Sequence, residues 1–551
     1  MAIPKGFVLL TSTEHSHPSG HHVLGASAQD ELVTVTVIVR RRTGGPQMAT
    51  LDAFSAQSAA SRPTRSRAQF AADHGADPKD LDDVAAFART YQLSVVETNE
   101  ARRTVVLRGP VASINQAFSV ALHDYDSPRG KYRGHEGGAS VPQGLEQVVE
   151  AVTGLDNRQV PATHYATARR HPSESEDPPN TKPLMPQQVA QLYAFPPGNG
   201  AGQTIGIYEM TTSEGSAGYT AQDLSLTMEA FGGGLIAPTP VDVAVDGVGN
   251  AGKSDGETVL DITVSSAIAQ GAAIAVYFTG GTTQNIIHAL QRMIHPGTGD
   301  PVPTVLSISY GWGPDDENAQ SFSGQEFTAL DQLFQDAAHL GVTVLVSSGD
   351  SGAFLETRKQ AQASYPATEP WVIACGGTTI GNVNGSTFSE YVWNDSWQGG
   401  SGATGGGVSA RFPVPSYQAD AAVPKRVGTG TAGRGIPDIA GNASVNSGYP
   451  IYIDGQSPGP TGGTSAVAPL YAGLIAVVNA NLGYSVGFIN PILYSLASSA
   501  FRDISGPPGP ANNSFNGTTG YPAAAGWNAC TGMGSVKGTV LQTGLQAARP
   551  S

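Results

Sequence analysis

Cysteine is nearly absent: Cys375 and Cys530 are the only two in 551 residues. Two thiols exclude a disulfide framework and any thiolate metal cluster. Charged residues are also scarce, at 14%. Bases are outnumbered by acids, 30 to 45, for a net charge of −15. No basic stripe appears, which argues against nucleic acid as a partner. No run approaches the roughly 20 apolar residues of a membrane span. The opening "MAIPKGFVLLTSTEHSH" makes a poor signal peptide. There is no internal repeat and no phosphate-cradling glycine loop. Histidine is thin in the larger part of the chain. Of 12, only His288, His295 and His339 lie beyond His171.

What is present is glycine and proline, 69 and 38, alongside 40% hydrophobic residues. That balance fits a loop-rich globular protein, and the length calls for more than one core. Residues 1–165 alternate short strands and helices. "LVTVTVIVRR" has strand alternation, and "DPKDLDDVAAFARTY" has helical spacing. "LSVVET" and "RRTVVLRG" read as strands, "PVASINQAFS" as a helix, and "VALHDY" as a closing strand. The order β-α-β-β-α-β predicts an α+β, ferredoxin-like sandwich. Residues 166–184 are polar, proline-rich and aperiodic, as expected of an exposed linker open to proteolytic nicking. Residues 185–551 hold continuous apolar strands, such as "QTIGIYEM", "AAIAVYF", "TVLSISYG" and "VTVLVSSGD", separated by helices. This predicts an α/β domain: a parallel sheet covered by helices on both faces, with sites at the carboxyl ends of the strands.

"TGGTSAVAPL" (Thr461–Leu470) reads as a glycine turn opening a buried helix. A hydroxyl there faces free N–H donors and the positive end of the dipole, which suits a nucleophilic Ser465. It equally suits Ser465 or Thr464 as a plain N-cap. Serine nucleophiles usually take a histidine base. His288 and His295 lie in an amphipathic helix, however, and His339 at a helix end. All three read as surface or helix-terminal residues. Carboxylates remain. "DGETVLDITV" puts Glu257 and Asp261 four apart on an otherwise apolar helix, where two acids can share a proton. Helix decoration and a structural bond would explain them too. Asp350 ends the strand of "VTVLVSSGD". Protonated, it could donate to an oxyanion; otherwise it is a turn residue.

In combination, "GETVLDI", "SSGDSG", "GGGVSARFPVPSYQ", "GIPDIAGNA" and "GGTSAVAP" resemble the sedolisin family of serine-carboxyl peptidases, in its kumamolisin-like branch. The resemblance spans nearly the whole chain. It implies a subtilisin-like catalytic domain behind a removable prodomain that acts as folding aid and intramolecular inhibitor. Self-cleavage would fall in the linker before about Pro183. It assigns Ser465 as nucleophile, Glu257 as general base and acid, Asp261 as its tuning partner and Asp350 as oxyanion donor. Glu209 matches an outer glutamate of the hydrogen-bonded chain. Tyr310 stands where such members carry tryptophan, and Thr263 where relatives often carry an acid. "FTGGTTQNI" is unusual and is expected to shape substrate pockets. The resemblance also implies one structural calcium ion, held by Asp503, the Ile504, Ala524 and Gly526 carbonyls, and Asn528. Asn528 and Ala524 replace the aspartate and glycine usual there. The implied enzyme is a monomeric, secreted endopeptidase that cuts polypeptides in acid. A neutral Ser/His/Asp peptidase and a non-catalytic binding protein are the alternatives.

Overall fold

A computed structural model describes residues 3–549 apart from 15–19, 58–61, 63–64, 129, 161–165, 168–180, 213–214, 313–321, 354–360, 399–401 and 507–510. Most of the expected cleavage linker therefore lies outside the described residues.

The first domain is built on β1 (Leu32–Val39), α1 (Leu51–Ser55), α2 (Pro78–Thr90), β2 (Ser94–Asn99), β3 (Thr104–Pro110), α3 (Val111–Phe118) and β4 (Val149–Thr153). The strands pair antiparallel in the order β2-β3-β1-β4, that of a split βαβ sandwich. Alternation along β1 assigns its two faces. Val33, Val35, Val37 and Val39 pack on α2 and α3. Ile38 points the other way, into a core shared with the second domain. The closing strand differs from the sequence expectation. The "HDY" of "VALHDY" lies in a strand, His123–Asp126, that joins a separate small sheet with His22–Ala26 and Tyr132–Gly134, and β4 closes the sandwich instead. Because β4 is covered on both faces, it lacks the polar alternation that marks a strand.

A short strand, β5 (Ala166–Thr167), leads to the second domain. Its ten-stranded sheet contains β6 (Thr204–Met210), β7 (Val241–Ala244), β8 (Ala273–Thr279), β9 (Val305–Ile308), β10 (Thr343–Ser347), β11 (Ile373–Asn384), β12 (Thr387–Val392) and β13 (Ile439–Asn442). β7-β8-β6-β9-β10-β11-β13 run parallel, and β12 pairs antiparallel with β11. Helices α4 (Gly256–Ile268) and α7 (Val467–Leu482) cover one face. Helices α5 (Thr283–Ile294) and α6 (Gly324–His339) cover the other. With both faces covered, the strands need unbroken apolar runs. The segment Thr464–Leu482 is long and apolar enough to cross a bilayer, which the reading of apolar runs passes over, but it is 83% buried within the domain. A Cβ on Gly473 would come within 2.6 Å of the Ile268 Cβ. Glycine there lets α7 lie close against α4. Cys375 and Cys530 are buried, free thiols.

Candidate active site

Helix α4 starts at Asp255, whose carboxylate caps the Thr258 N–H at 3.0 Å. The next turns carry Glu257 and Asp261, 3% and 0% exposed. Opposite them, the glycine turn delivers Ser465. Gly463 takes φ +100°, and a Cβ on Gly462 would strike the Ala443 carbonyl at 2.1 Å. Neither position tolerates a side chain. The Ser465 hydroxyl lies 3.4 Å from the Ser309 carbonyl. No ordinary hydrogen bond closes on either Glu257 oxygen, although Ser465 acts on that carboxyl and favours its charged form. Catalytic hydrogen bonds are often loose in a free enzyme and tighten around substrate.

Two buried hydroxyls extend the acid cluster. Ser309, just beyond β9, places its Oγ 2.9 and 2.7 Å from the two Asp261 oxygens. Tyr310, its neighbour, donates to Glu209 Oε2 at 2.8 Å, and Thr258 donates to the same atom at 3.0 Å. Tyr310 and Thr258 are thus the hydrogen-bond partners of the outer glutamate. Burial raises the pKa values of Glu209, Glu257 and Asp261 well above the ordinary range, and neighbouring carboxylates add to the effect. Such a cluster ionises in steps. The first charge forms with no charged neighbour, and each later one is opposed by those before it. Hydrogen bonds from Ser309, Tyr310 and Thr258 favour the charged forms.

Asp350 lies past the carboxyl end of β10. Its Oδ1 accepts the Thr464 N–H at 2.7 Å and the Thr464 hydroxyl at 2.8 Å. The residue is only partly buried as a whole, yet its Oδ2 is covered and has no partner. Burial pushes the Asp350 pKa up to about 7, against the pull of the Thr464 bonds. A neutral carboxyl with one oxygen anchored and the other free is a hydrogen-bond donor beside the Ser465 turn. Ser309 and Thr464 hold this geometry, and sequence reasoning gave neither a role there. The available signal was their position, one just past a buried strand and one next to the serine.

The three later histidines serve elsewhere. His288 bonds Asp246 at 2.8 Å and the prodomain's Thr36 at 2.8 Å. His295 bonds Asp336 at 2.9 Å, and Asp336 also takes Arg41 from the prodomain. His339 stacks on Phe54 of α1 at 4.2 Å. His295 and His339 are buried, not superficial as their helical settings suggested. The "FTGGTTQNI" segment also meets the first domain, where Gly281 accepts the Val160 N–H and Thr282 bridges to Gln159. Thr263 turns inward and donates to the Val259 carbonyl.

The linker enters this site. β5 lies antiparallel on Pro460–Gly462, with Ala166 opposite Gly462 and Thr167 opposite Thr461. An extended segment of the chain is thus held by backbone pairing beside the Ser465 turn. The residues expected to bind calcium also come together, since Asp503 accepts the Gly526 N–H at 3.0 Å. Their donors do not fit a cation, however, because the Asn528 amide N–H₂ is turned onto the Ala524 carbonyl.

Comparison with known proteins agrees with this architecture. The activation domain of pro-kumamolisin matches residues 19–158, and the subtilase family matches residues 245–487. The chain is 41% identical to kumamolisin of Bacillus sp. (strain MN-32), over 96% of its own length and 93% of that protein's. It is 30% identical to tripeptidyl-peptidase sed5 of Aspergillus fumigatus, over 96% of each. Sedolisin of Pseudomonas, a serine-carboxyl proteinase solved with pseudo-iodotyrostatin, superposes with a TM-score of 0.55 at 29% identity, covering 67% of this chain and 100% of that one. With its activation domain attached and a serine set among buried carboxyls, this chain belongs to the sedolisin family of serine-carboxyl peptidases, in the kumamolisin branch.

Proposed function

We propose that the chain is the zymogen of an acid-acting endopeptidase in which Ser465 is the nucleophile and Glu257 its base. The observation that carries this reading is the buried acid cluster of Glu257, Asp261 and Glu209 facing Ser465, while the domain's histidines face the prodomain. Ser465 Oγ attacks the scissile carbonyl carbon and passes its proton to Glu257. Asp261 and Glu209 oppose a charge on Glu257, which raises its affinity for the proton it takes from Ser465. The oxyanion that forms takes a hydrogen bond from neutral Asp350 Oδ2. Glu257 then protonates the departing amine as the tetrahedral intermediate collapses to an acyl-enzyme. Water enters by the same steps in reverse, releasing the acid and restoring Ser465.

The first substrate is the enzyme's own linker. β5 supports this, since it already lies along the Ser465 turn as an added strand. The prodomain supports it too, because it holds the linker there through contacts on the far side of the sheet. Cleavage in the linker leaves the prodomain as a bound inhibitor until it dissociates. The cluster's need for protons suits an acidic medium, and we place the working enzyme outside the cell.

Self-processing tests this reading. The full chain is brought to about pH 4, near the carboxylate reference values, and its mass is followed beside Ser465→Ala and Glu257→Gln. Loss of the prodomain from the wild type alone is the expected result. Processing by Glu257→Gln at the wild-type rate would remove glutamate as the base and return the search to the histidines.

A further inference from the structure

The turn after Gly526 is tied together by one side chain, Asn528. Asn528 Oδ1 accepts three hydrogen bonds, from Cys530 N at 3.0 Å, Thr531 N at 3.0 Å and the Thr531 hydroxyl at 3.2 Å. Those donors fix the amide's orientation, since flipping it would aim N–H₂ at two backbone N–H groups. Nδ2 is therefore directed at the Ala524 carbonyl and donates to it at 3.0 Å. The Ile504 carbonyl lies 3.4 Å from the same Thr531 hydroxyl oxygen, and Asp503 Oδ2 accepts the Gly526 N–H. Calcium needs six to eight oxygen ligands, with carboxylates among them. Here Asp503 is the only formal charge in the set, and a donor N–H₂ points at a carbonyl that would otherwise serve as ligand.

We propose that the Asn528 amide takes the place of a calcium ion in this chain, tying the Ala524 carbonyl to the Cys530–Thr531 turn with one neutral side chain. An aspartate at 528 would keep the cap with one oxygen and turn the other onto the Ala524 carbonyl. Two acceptors would then face each other, an arrangement stable only with a cation or a proton between them. A single oxygen-for-nitrogen exchange therefore separates a calcium-independent loop from a calcium-dependent one.

The test uses the full chain carrying Ser465→Ala, which prevents self-digestion, alone and with Asn528→Asp or Asn528→Ala. Thermal unfolding at about pH 6, where aspartate is ionised, is recorded in chelator and in millimolar calcium chloride, with calcium titration calorimetry alongside. The Asn528 protein should show no binding heat and hold its Tm within about 1 °C between the two conditions. Asn528→Asp should lose several degrees in chelator and regain them in calcium, a shift on the scale of one or two lost interactions. Asn528→Ala should lose stability in both conditions, with no rescue. A saturable calcium site in the Asn528 protein, or an Asn528→Asp variant indifferent to calcium, would overturn the proposal. If Asn528→Asp fails to fold, calorimetry on the Asn528 protein still decides the matter.

Discussion

Asp350 offers the sharpest test of the proposed chemistry, because its two oxygens have separate duties. Oδ1 is committed to Thr464, and Oδ2 is buried without a partner, which leaves it for the oxyanion in the proposed chemistry. Asp350→Ala removes the donor. Losing one oxyanion donor costs about 10²–10³ in kcat, roughly 3–4 kcal/mol, with little change in KM. Asp350→Asn keeps a donor in nearly the same shape and should recover much of that loss.

The two variants also differ in pH dependence. Burial raises Asp350 from 3.8 to about 7, so the folded protein keeps a proton that the unfolded chain gives up across that range. At pH 5 about 1% of molecules lack the proton, and at pH 7 about half do. Activity should therefore fall on the alkaline side with an apparent pKa near 7. Asp350→Asn, which has no proton to lose, should flatten that limb. Stability follows the same sign. The folded state binds more protons between about pH 3.8 and 7, so Asp350 weakens it progressively as pH rises through that window. On a Ser465→Ala background, Asp350→Asn should match the wild type near pH 4. By pH 7 it should exceed it by a few kcal/mol, on the order of 1.4 kcal/mol per pH unit. The assays are kcat against pH on a peptide substrate and urea unfolding at four pH values. An Asp350→Ala enzyme with full kcat, or an alkaline limb unmoved in Asp350→Asn, would refute the reasoning.

Other substitutions probe the supports. Ser309→Ala strips the hydroxyl from both Asp261 oxygens. It should lower kcat about tenfold and raise the acid-limb pKa, because an ionised carboxylate has lost a donor; Ser309→Thr should restore both, and an unchanged pH profile would limit Ser309 to packing. Tyr310→Phe cuts the bond to Glu209 while keeping the ring. It should cost less, a few-fold in kcat, again with the acid limb moved upward. Phe54→Ala empties the cage of His339, Trp371 and Phe488. Losing a buried aromatic is worth about 3–5 kcal/mol, so the separated prodomain should inhibit the mature enzyme at least 100-fold less tightly.

Much of the candidate site was legible because its residues are odd letters in plain surroundings. Glu257 and Asp261 interrupt an apolar helix, Asp350 follows a run of buried strand, and Ser465 follows two glycines whose places tolerate no Cβ. Backbone register brings these together, and alternation in β6 already puts Glu209 on the α4 face. What the letters did not reveal depends on covering. β4 and the helices bearing His295 and His339 are buried by the other domain, and a contact of that kind leaves no periodicity within either segment. Asn528 shows the limit at one atom. Its sequence context suggests a weaker calcium ligand, whereas the direction of its amide is set by Cys530 and Thr531 through the fold of the turn.

The covered histidine bears on the order of activation. Burial against Phe54 lowers His339 to about 4, so in the zymogen it stays neutral through the mildly acid range. Arg62 and Arg65 from the prodomain and Arg549 line the same pocket, Arg41 and His74 add unfavourable charge, and Asp336 opposes them. In the separated catalytic domain the ring loses the cover of Phe54, and its pKa should rise toward the ordinary value near 6.5. Separation then takes up a proton, and docking weakens as pH falls from about 6.5, up to about 150-fold by pH 4 from this group. Asp336 behaves differently. Arg41, Arg103 and His295 hold it far below the ordinary range despite its burial, so its grip on Arg41 persists in acid. Asp350, in contrast, gains its proton from about pH 7 downward. Acidification should therefore ready the oxyanion donor while the prodomain is still docked, and loosen the prodomain only further down. The wild type held at about pH 5.5 should yield a cut chain whose two pieces elute together on gel filtration, separating only as pH approaches 4. His339→Phe should keep them together at the lower pH, and Arg41→Met should weaken their association equally at both. Pieces that part as soon as the linker is cut, at any pH, would show that β5 and not the aromatic cage holds the prodomain in place.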